Sequence, residues 1–239
     1  MFILISCSLV LFIVLLRRAL RRSRIQEQDS AAFSRMIMLA QETECSRIAA
    51  ELHDAVLPDL RDNPAAARIR EICGRLMPPD LNRFSLKDSL ISLCDTFVKC
   101  TGIECIIEIE ENLDFGRLSG EHQLHLYRIA QKALNNTGKH SGAKQASLLV
   151  RYGGGEPSGP ILFSISDDGE GLRSIPGLRS IPGLSCKPGL RKMGKHDDGI
   201  GMRTMHRRAA IIGARINFIS EDGNGLMVCV ELPPTEFKP

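Results

Sequence analysis

Asp167-Asp168-Gly169-Glu170-Gly171 stands directly behind Ile161-Leu162-Phe163-Ser164-Ile165-Ser166, a stretch that alternates like a strand with one covered face. Glycines after a strand let a backbone pass close to a ligand, because no Cβ stands in the way. Upstream lies Arg128-Ile129-Ala130-Gln131-Lys132-Ala133-Leu134-Asn135-Asn136, a run dominated by helix formers that ends on two amides and is followed by Thr137-Gly138-Lys139-His140. A helical Asn can offer its amide oxygen to Mg²⁺, usually beside water and phosphate oxygens. Downstream, Gly199-Ile200-Gly201-Met202 leads into a helix predicted over 203–212. Free N–H groups at such a helix start suit phosphate. A plain turn or a helix cap would account for any one of these segments. Together they are residue types that a site for a phosphate-bearing ligand would use.

Around these segments the pattern predicts an α/β layer over 85–234. A helix is expected over 85–101, carrying Leu86, Leu90, Leu93, Phe97 and Val98 and ended by Gly102. A second runs over 120–139 with Leu124, Leu126, Ile129, Ala133 and Leu134 inward. Strands are expected at 105–109, 146–152, 161–167, 215–220 and 227–232.

Before residue 85 the chain reads as helix. From 25 to 61 there is no Gly and the only Pro is Pro58, and Ala49, Leu52, Val56 and Leu60 form one apolar stripe with His53 and Asp54 at its edge. A helix over 65–77 closes at Pro78-Pro79. The two make a hairpin over 25–80, small enough to need a second copy to cover its stripe, so a homodimer is expected. Residues 1–16 are apolar apart from Ser6, Cys7 and Ser8, and Arg17, Arg18, Arg21, Arg22 and Arg24 follow. Positive charge after the run, not before it, is unlike a secretory signal and favours a cytoplasmic carboxyl-terminal side. As a helix the run spans about 24 Å, short of a bilayer core of about 30 Å, although Ala19, Leu20 and snorkelling Arg stems extend it. A single-pass membrane anchor over 1–20 is the expectation, with the rest in the cytoplasm.

The chain has 239 residues and a net charge of +3, with no Trp and two Tyr. That balance and the few aromatics argue against nucleic acid as a partner. The eight cysteines form no Cys-x-x-Cys and do not pair with His at zinc-ligand spacing, so reduced thiols are expected. Gly171-Leu172-Arg173-Ser174-Ile175-Pro176 recurs unchanged at 177–182, and degenerate copies follow at 183–188 and 189–194. Gly and Pro in fixed places exclude a helix there, leaving a loop with extended pieces.

Taken in order, these segments resemble the nucleotide-binding domain shared by histidine kinases, gyrase-type ATPases and Hsp90, the GHKL or Bergerat fold. The resemblance implies a two-layer α/β sandwich over 85–234 that binds ATP and Mg²⁺, with a lid at 172–198. Asn135, Asn136, Lys139 and His140 belong to its N box, where Asn136 would ligate Mg²⁺ and Lys139 would meet phosphate. Asp167 would accept from the adenine amino group, while Gly169 and Gly171 let the backbone pass the base. Gly199 and Gly201 would close the lid, and Gly223-Asn224-Gly225 resembles the closing motif. Arg47-Ile48-Ala49-Ala50-Glu51-Leu52-His53-Asp54 resembles the phospho-acceptor motif of the nitrate-sensor-like kinases with a short dimerisation domain. By that resemblance His53 takes the phosphoryl group, Asp54 acts as general base, and a response regulator is the partner.

The chain departs from that pattern in four places. Lys132 stands where the family usually has Glu, one helical turn before Asn136. Pro58 stands where a Gln serves phosphatase activity. Leu226 replaces the usual Thr of the closing motif, and the hairpin is about half the usual length. A degenerate, nucleotide-binding dimeric interaction protein is therefore the rival expectation. A serine kinase or ATPase on the same fold is a third, which His53 in its motif argues against.

Overall fold

In a computed structural model of the chain, the described residues are all but 1, 61–62, 82, 172–183, 187–199, 221–224 and 235–239. They divide into two units, Met1–Pro78 and Pro79–Pro239.

The first unit is helical. Helix α1 covers Phe2–Glu51, and α2 covers Ala65–Leu76, packed back on it. Ala49 of α1 and Ala66 and Cys73 of α2 are buried, which is the expected hairpin. The helix expected to run on to residue 61 stops short. A helix through Pro58 would need an N–H that Pro lacks, and its ring would press on the carbonyl four residues back, that of Asp54. The chain instead widens into a π-helical turn over Leu52–Val56, closed by Leu57 N donating to Leu52 O at 3.2 Å, and then makes a 3₁₀ turn at Pro58–Leu60.

The expected membrane anchor over 1–20 is not shown. The segment beginning at Phe2 is helical as part of α1, yet among the described residues no helix is long and apolar enough to cross a membrane.

The second unit is built on a sheet. Helix α3 (Leu86–Thr101) begins at Ser85, whose hydroxyl accepts from Asp88 N at 3.1 Å. Helix α4 covers Gly120–Asn136 and α5 covers Ile200–Ile211. The strands are β1 (Glu104–Ile109), β2 (Gln145–Tyr152), β3 (Ile161–Asp167), β4 (Leu184–Cys186), β5 (Arg215–Ser220) and β6 (Leu226–Leu232). They lie in the order β1-β2-β3-β6-β5-β4, with β1 parallel to β2, β4 parallel to β5, and the other pairs antiparallel.

Register explains why one face is dry. Leu148, Ile165, Val228 and Phe218 align across β2, β3, β6 and β5, and all four are buried. Val150, Phe163, Val230 and Ile216 form the next buried row. The alternate residues are half-buried or exposed, including Ser147 and Ser166, whose hydroxyls meet at 2.7 Å. Against the dry face pack Leu86, Leu90 and Phe97 of α3, Leu126, Ile129 and Leu134 of α4, and Met205 and Ala209 of α5. Burying one such Leu, Ile or Phe side chain stabilises by about 1.5–3 kcal/mol. One layer of helices on one layer of sheet is the two-layer α/β arrangement expected of a GHKL-like fold.

Most expected elements over 85–234 are present. One strand was not foreseen: Leu184–Cys186, inside the expected lid, pairs with β5 at the sheet edge. The rest of the lid at 172–198 lies outside the described residues, as do Gly199, Gly223 and Asn224.

Candidate nucleotide site

The site forms where α4 ends beside the end of β3. After Asn136 the chain does not continue as an α-helix; Thr137–Ser141 makes a π-helical turn that ends at Gly142. Three bonds fasten this turn. The Thr137 hydroxyl lies 3.0 Å from Asp167 Oδ2 and 3.3 Å from Ala133 O. It has one proton, and the carboxylate is both nearer and the stronger acceptor, so the proton goes to Asp167. Ser141 Oγ donates to Thr137 O at 2.8 Å, and Glu170 N donates to Ser141 O at 2.8 Å.

Asp167 is half-buried, and its Oδ1 accepts from Gly169 N at 3.0 Å. Each carboxylate oxygen therefore has one protein donor and keeps a further lone pair for a ligand N–H. Gly169 is buried against Ser141: a Cβ built on it would lie 2.3 Å from Ser141 O. Gly225 closes the other side. Its φ is +76°, and a Cβ there would lie 1.7 Å from Asp167 O. Gly alone satisfies both demands. Asp168 points elsewhere, with Oδ1 accepting from Lys144 N at 2.8 Å and Gln145 N at 2.9 Å. Those two donors hold its carboxyl below the usual carboxylate range.

Gly201, in the first turn of α5, sits over α4. The point where its Cβ would be is 2.7 Å from Lys132 Cε, 3.3 Å from Lys132 Nζ and 3.4 Å from Asn136 Nδ2. Asn135, Asn136 and Lys132 are half-buried, whereas Lys139 and His140 are exposed on the turn that follows. Asp167 and Gly169 thus cluster with the end of α4, and Asn136 and Gly201 meet, while Gly171 follows at φ +73°. Gly199 lies outside the described residues. Sequence reasoning missed Thr137, although a hydroxyl in the turn after the amides was the available signal. Asn136 carries a single amide oxygen, and among the described residues no cluster of three or more His, Cys, Asp or Glu could hold a metal.

In the first unit, His53 and Asp54 lie on the π-helical turn before Pro58, both exposed. His53 Nδ1 is 3.1 Å from Asp54 Oδ1. An ionised carboxylate only accepts, so this contact places the imidazole proton on Nδ1 and leaves the lone pair on Nε2.

A cavity of about 220 Å³, lined by Arg117, Tyr152, Ile161 and Leu232 among others, lies by the opposite end of β3 from Asp167. It takes no part in this arrangement.

The chain is 26% identical over 232 residues to the sensor histidine kinase MctS of Rhizobium johnstonii, covering 84% of this chain and 46% of that protein. It is similar to the sensor histidine kinases. The signal transduction histidine-protein kinase/phosphatase UhpB of Salmonella typhimurium matches at 26% identity over 69% of this chain and 28% of its own length. The oxygen sensor histidine kinase NreB of Staphylococcus carnosus matches at 22% over 89% of this chain and 64% of its own. The chain therefore spans less than two thirds of each of these sensor histidine kinases. No protein-family model matches it. Among solved structures, the histidine kinase domain of the blue-light activated kinase of Erythrobacter litoralis aligns with a TM-score of 0.49 at 13% identity, covering 82% of this chain and 94% of that one.

Proposed function

We propose that the chain is an ATP-dependent protein-histidine kinase that phosphorylates its own His53 and passes the phosphoryl group to an aspartate of a response regulator. The observation that carries this reading is the His53–Asp54 pair on an exposed turn, with Nε2 left as a nucleophile. Nε2 attacks the γ-phosphorus of ATP, the bond to the β–γ bridging oxygen breaks, and ADP leaves. The Nδ1 proton moves toward Asp54 Oδ1 as the ring gains positive character. On the second unit Asp167 receives the adenine amino group, with Thr137 and Gly169 N holding the carboxylate. Lys139, His140 and Gly201 at the start of α5 take the phosphates. Asn136 is the side chain that gives an oxygen to Mg²⁺, which when bound neutralises charge between phosphoryl groups.

Phe33, Met36, Ile37 and Leu39 are large apolar residues exposed along α1. They support homodimerisation through the first unit. The apolar run before Arg17 supports attachment of the amino-terminal end to a membrane. The second reading, a nucleotide-binding dimeric interaction protein with little kinase activity, is favoured by Lys132 beside Asn136.

Labelling with γ-³²P-ATP tests the proposal. Acid-labile, base-stable label on the wild type, lost in His53→Gln while ATP binding persists, is the expected result. Acid-stable label, or label retained by His53→Gln, would show a different acceptor. Retained binding with no label would leave the interaction protein.

A further inference from the structure

Helix α3 turns Leu86, Leu90, Cys94 and Phe97 toward the core at helical spacing, and all four are buried. Strand β1 turns Cys105, Ile107 and Ile109 toward the same core, while Glu104, Ile106 and Glu108 are exposed. Only Gly102 and Ile103 stand between the two elements, and α3 packs along β1. The inward faces thus bring Cys94 and Cys105 together, both as free cysteines, with their thiols hydrogen-bonded to each other. The two differ in access. Cys94 is 3% exposed, whereas Cys105 is half-buried on β1, which lies at an edge of the sheet. They differ in acidity as well. The Cys94 S–H donates toward the Cys105 sulfur and holds that thiol below its ordinary value, against the smaller opposing effects of burial and the Asp95 charge. The same contact, with burial behind it, pushes the Cys94 thiol up.

We propose that Cys94 and Cys105 are a redox modification site, oxidised by a hydroperoxide to an intramolecular disulfide that ties α3 to β1. Cys105, as thiolate, attacks one oxygen of hydrogen peroxide; the S–O bond forms, the O–O bond breaks, and the departing oxygen takes a proton to leave as water. The Cys94 sulfur then attacks the sulfur of the Cys105 sulfenic acid. The S–S bond forms, the S–O bond breaks, and the Cys94 proton leaves with the hydroxide as a second water. Two thiols lose two electrons and two protons, and one peroxide becomes two waters. In a reducing compartment such a bond is transient, so it registers oxidant and does not build the fold. The elements it joins both abut the turn after α4. A Cβ on Gly138 would lie 2.9 Å from Thr101 Cγ2 of α3, and Glu104 N of β1 donates to Lys144 O at 3.1 Å.

The test treats the reduced full chain with hydrogen peroxide, blocks the remaining thiols with N-ethylmaleimide and maps the tryptic peptides without reduction. Cleavage after Lys99 puts Cys94 and Cys105 on different peptides, but Cys100 shares a peptide with Cys105, so wild type and Cys100→Ser are compared. The expected result in both is a linked pair of peptides lighter by two hydrogen atoms than their sum, joined at Cys94 and Cys105 and separated again by dithiothreitol. Cys94→Ala should leave Cys105 as a sulfenic acid that dimedone captures, and Cys105→Ala should leave Cys94 a free thiol at the same dose. Circular dichroism checks that these two variants are folded, and the wild type and Cys100→Ser decide the matter without them. Oxidation of the exposed Cys100 with no Cys94–Cys105 link overturns the proposal, as does a link that runs through Cys100. A Cys94–Cys105 bond that forms no faster in the folded chain than in urea overturns it too, because the fold would then contribute nothing.

Discussion

The Thr137 hydroxyl and the Asp167 carboxylate, 30 residues apart in sequence, meet at 3.0 Å and tie the end of α4 to the end of β3. Asp167 is thereby oriented before any ligand arrives. Replacing Thr137→Val keeps the shape and removes the donor. Because one hydrogen bond contributes about 1 kcal/mol net, ATP affinity should fall by roughly fivefold. Asp167→Asn should cost more, about 1.5–3 kcal/mol, because the charged acceptor itself is changed. Calorimetry with ATP measures both, and unchanged affinity in Asp167→Asn would remove this carboxylate from the site.

Gly225 supports the same carboxylate from the β6 side. A Cβ 1.7 Å from Asp167 O, on a residue at φ +76°, cannot be accommodated by a side-chain shift, because the obstacle is backbone. Gly225→Ala should therefore lower stability by roughly 1–3 kcal/mol and weaken ATP binding as Asp167 is displaced. Thermal melting without nucleotide is the first measurement. A melting temperature equal to wild type would mean that residue 225 does not press on the Asp167 backbone.

Asp168 makes a different, pH-dependent contribution. Its carboxylate accepts from Gln145 N and Lys144 N, which lowers its pKa in the fold. A carboxyl depressed in this way stabilises the fold fully above its unfolded pKa, about 4, and loses that effect as pH falls through the folded value. Asp168→Asn should be less stable than wild type near neutral pH, with the gap narrowing below about pH 4. Urea midpoints at neutral and acid pH measure it. A gap that stays constant with pH would assign the loss to packing and not to charge.

Why so much of the second unit could be read from the chain follows from its residues. The period-two runs at Ile161–Asp167 and Arg215–Ser220 become strands because one face of the sheet is dry and the other is not. Ser85 and Gly102 bound α3 through local hydrogen bonding, which sequence states directly. The widened turns at His53 and Thr137 were less legible. The first arises from Pro58, which breaks the helix by lacking an N–H, but its form depends on where the freed carbonyls find partners. The second depends on Asp167 and Glu170, which are remote in sequence and meet Thr137 and Ser141 only after folding.

Deletion of 177–182 separates the repeat from the fold. The segment removed is an unchanged copy of 171–176, so Gly183 would follow Pro176 as Gly177 does now, and Leu184–Cys186 would keep its immediate neighbours. A loop's closure entropy changes by only about 0.6 kcal/mol on doubling its length, so removing six residues from the expected lid at 172–198 should alter stability by less than that. The nucleotide-free protein should melt close to wild type, because β5 and β6 are built from residues beyond the deletion. A sharp fall in melting temperature would place the repeat in the core of the second unit. Intact melting with altered ATP affinity would place it over the nucleotide, where a shorter lid changes closure without touching Asp167.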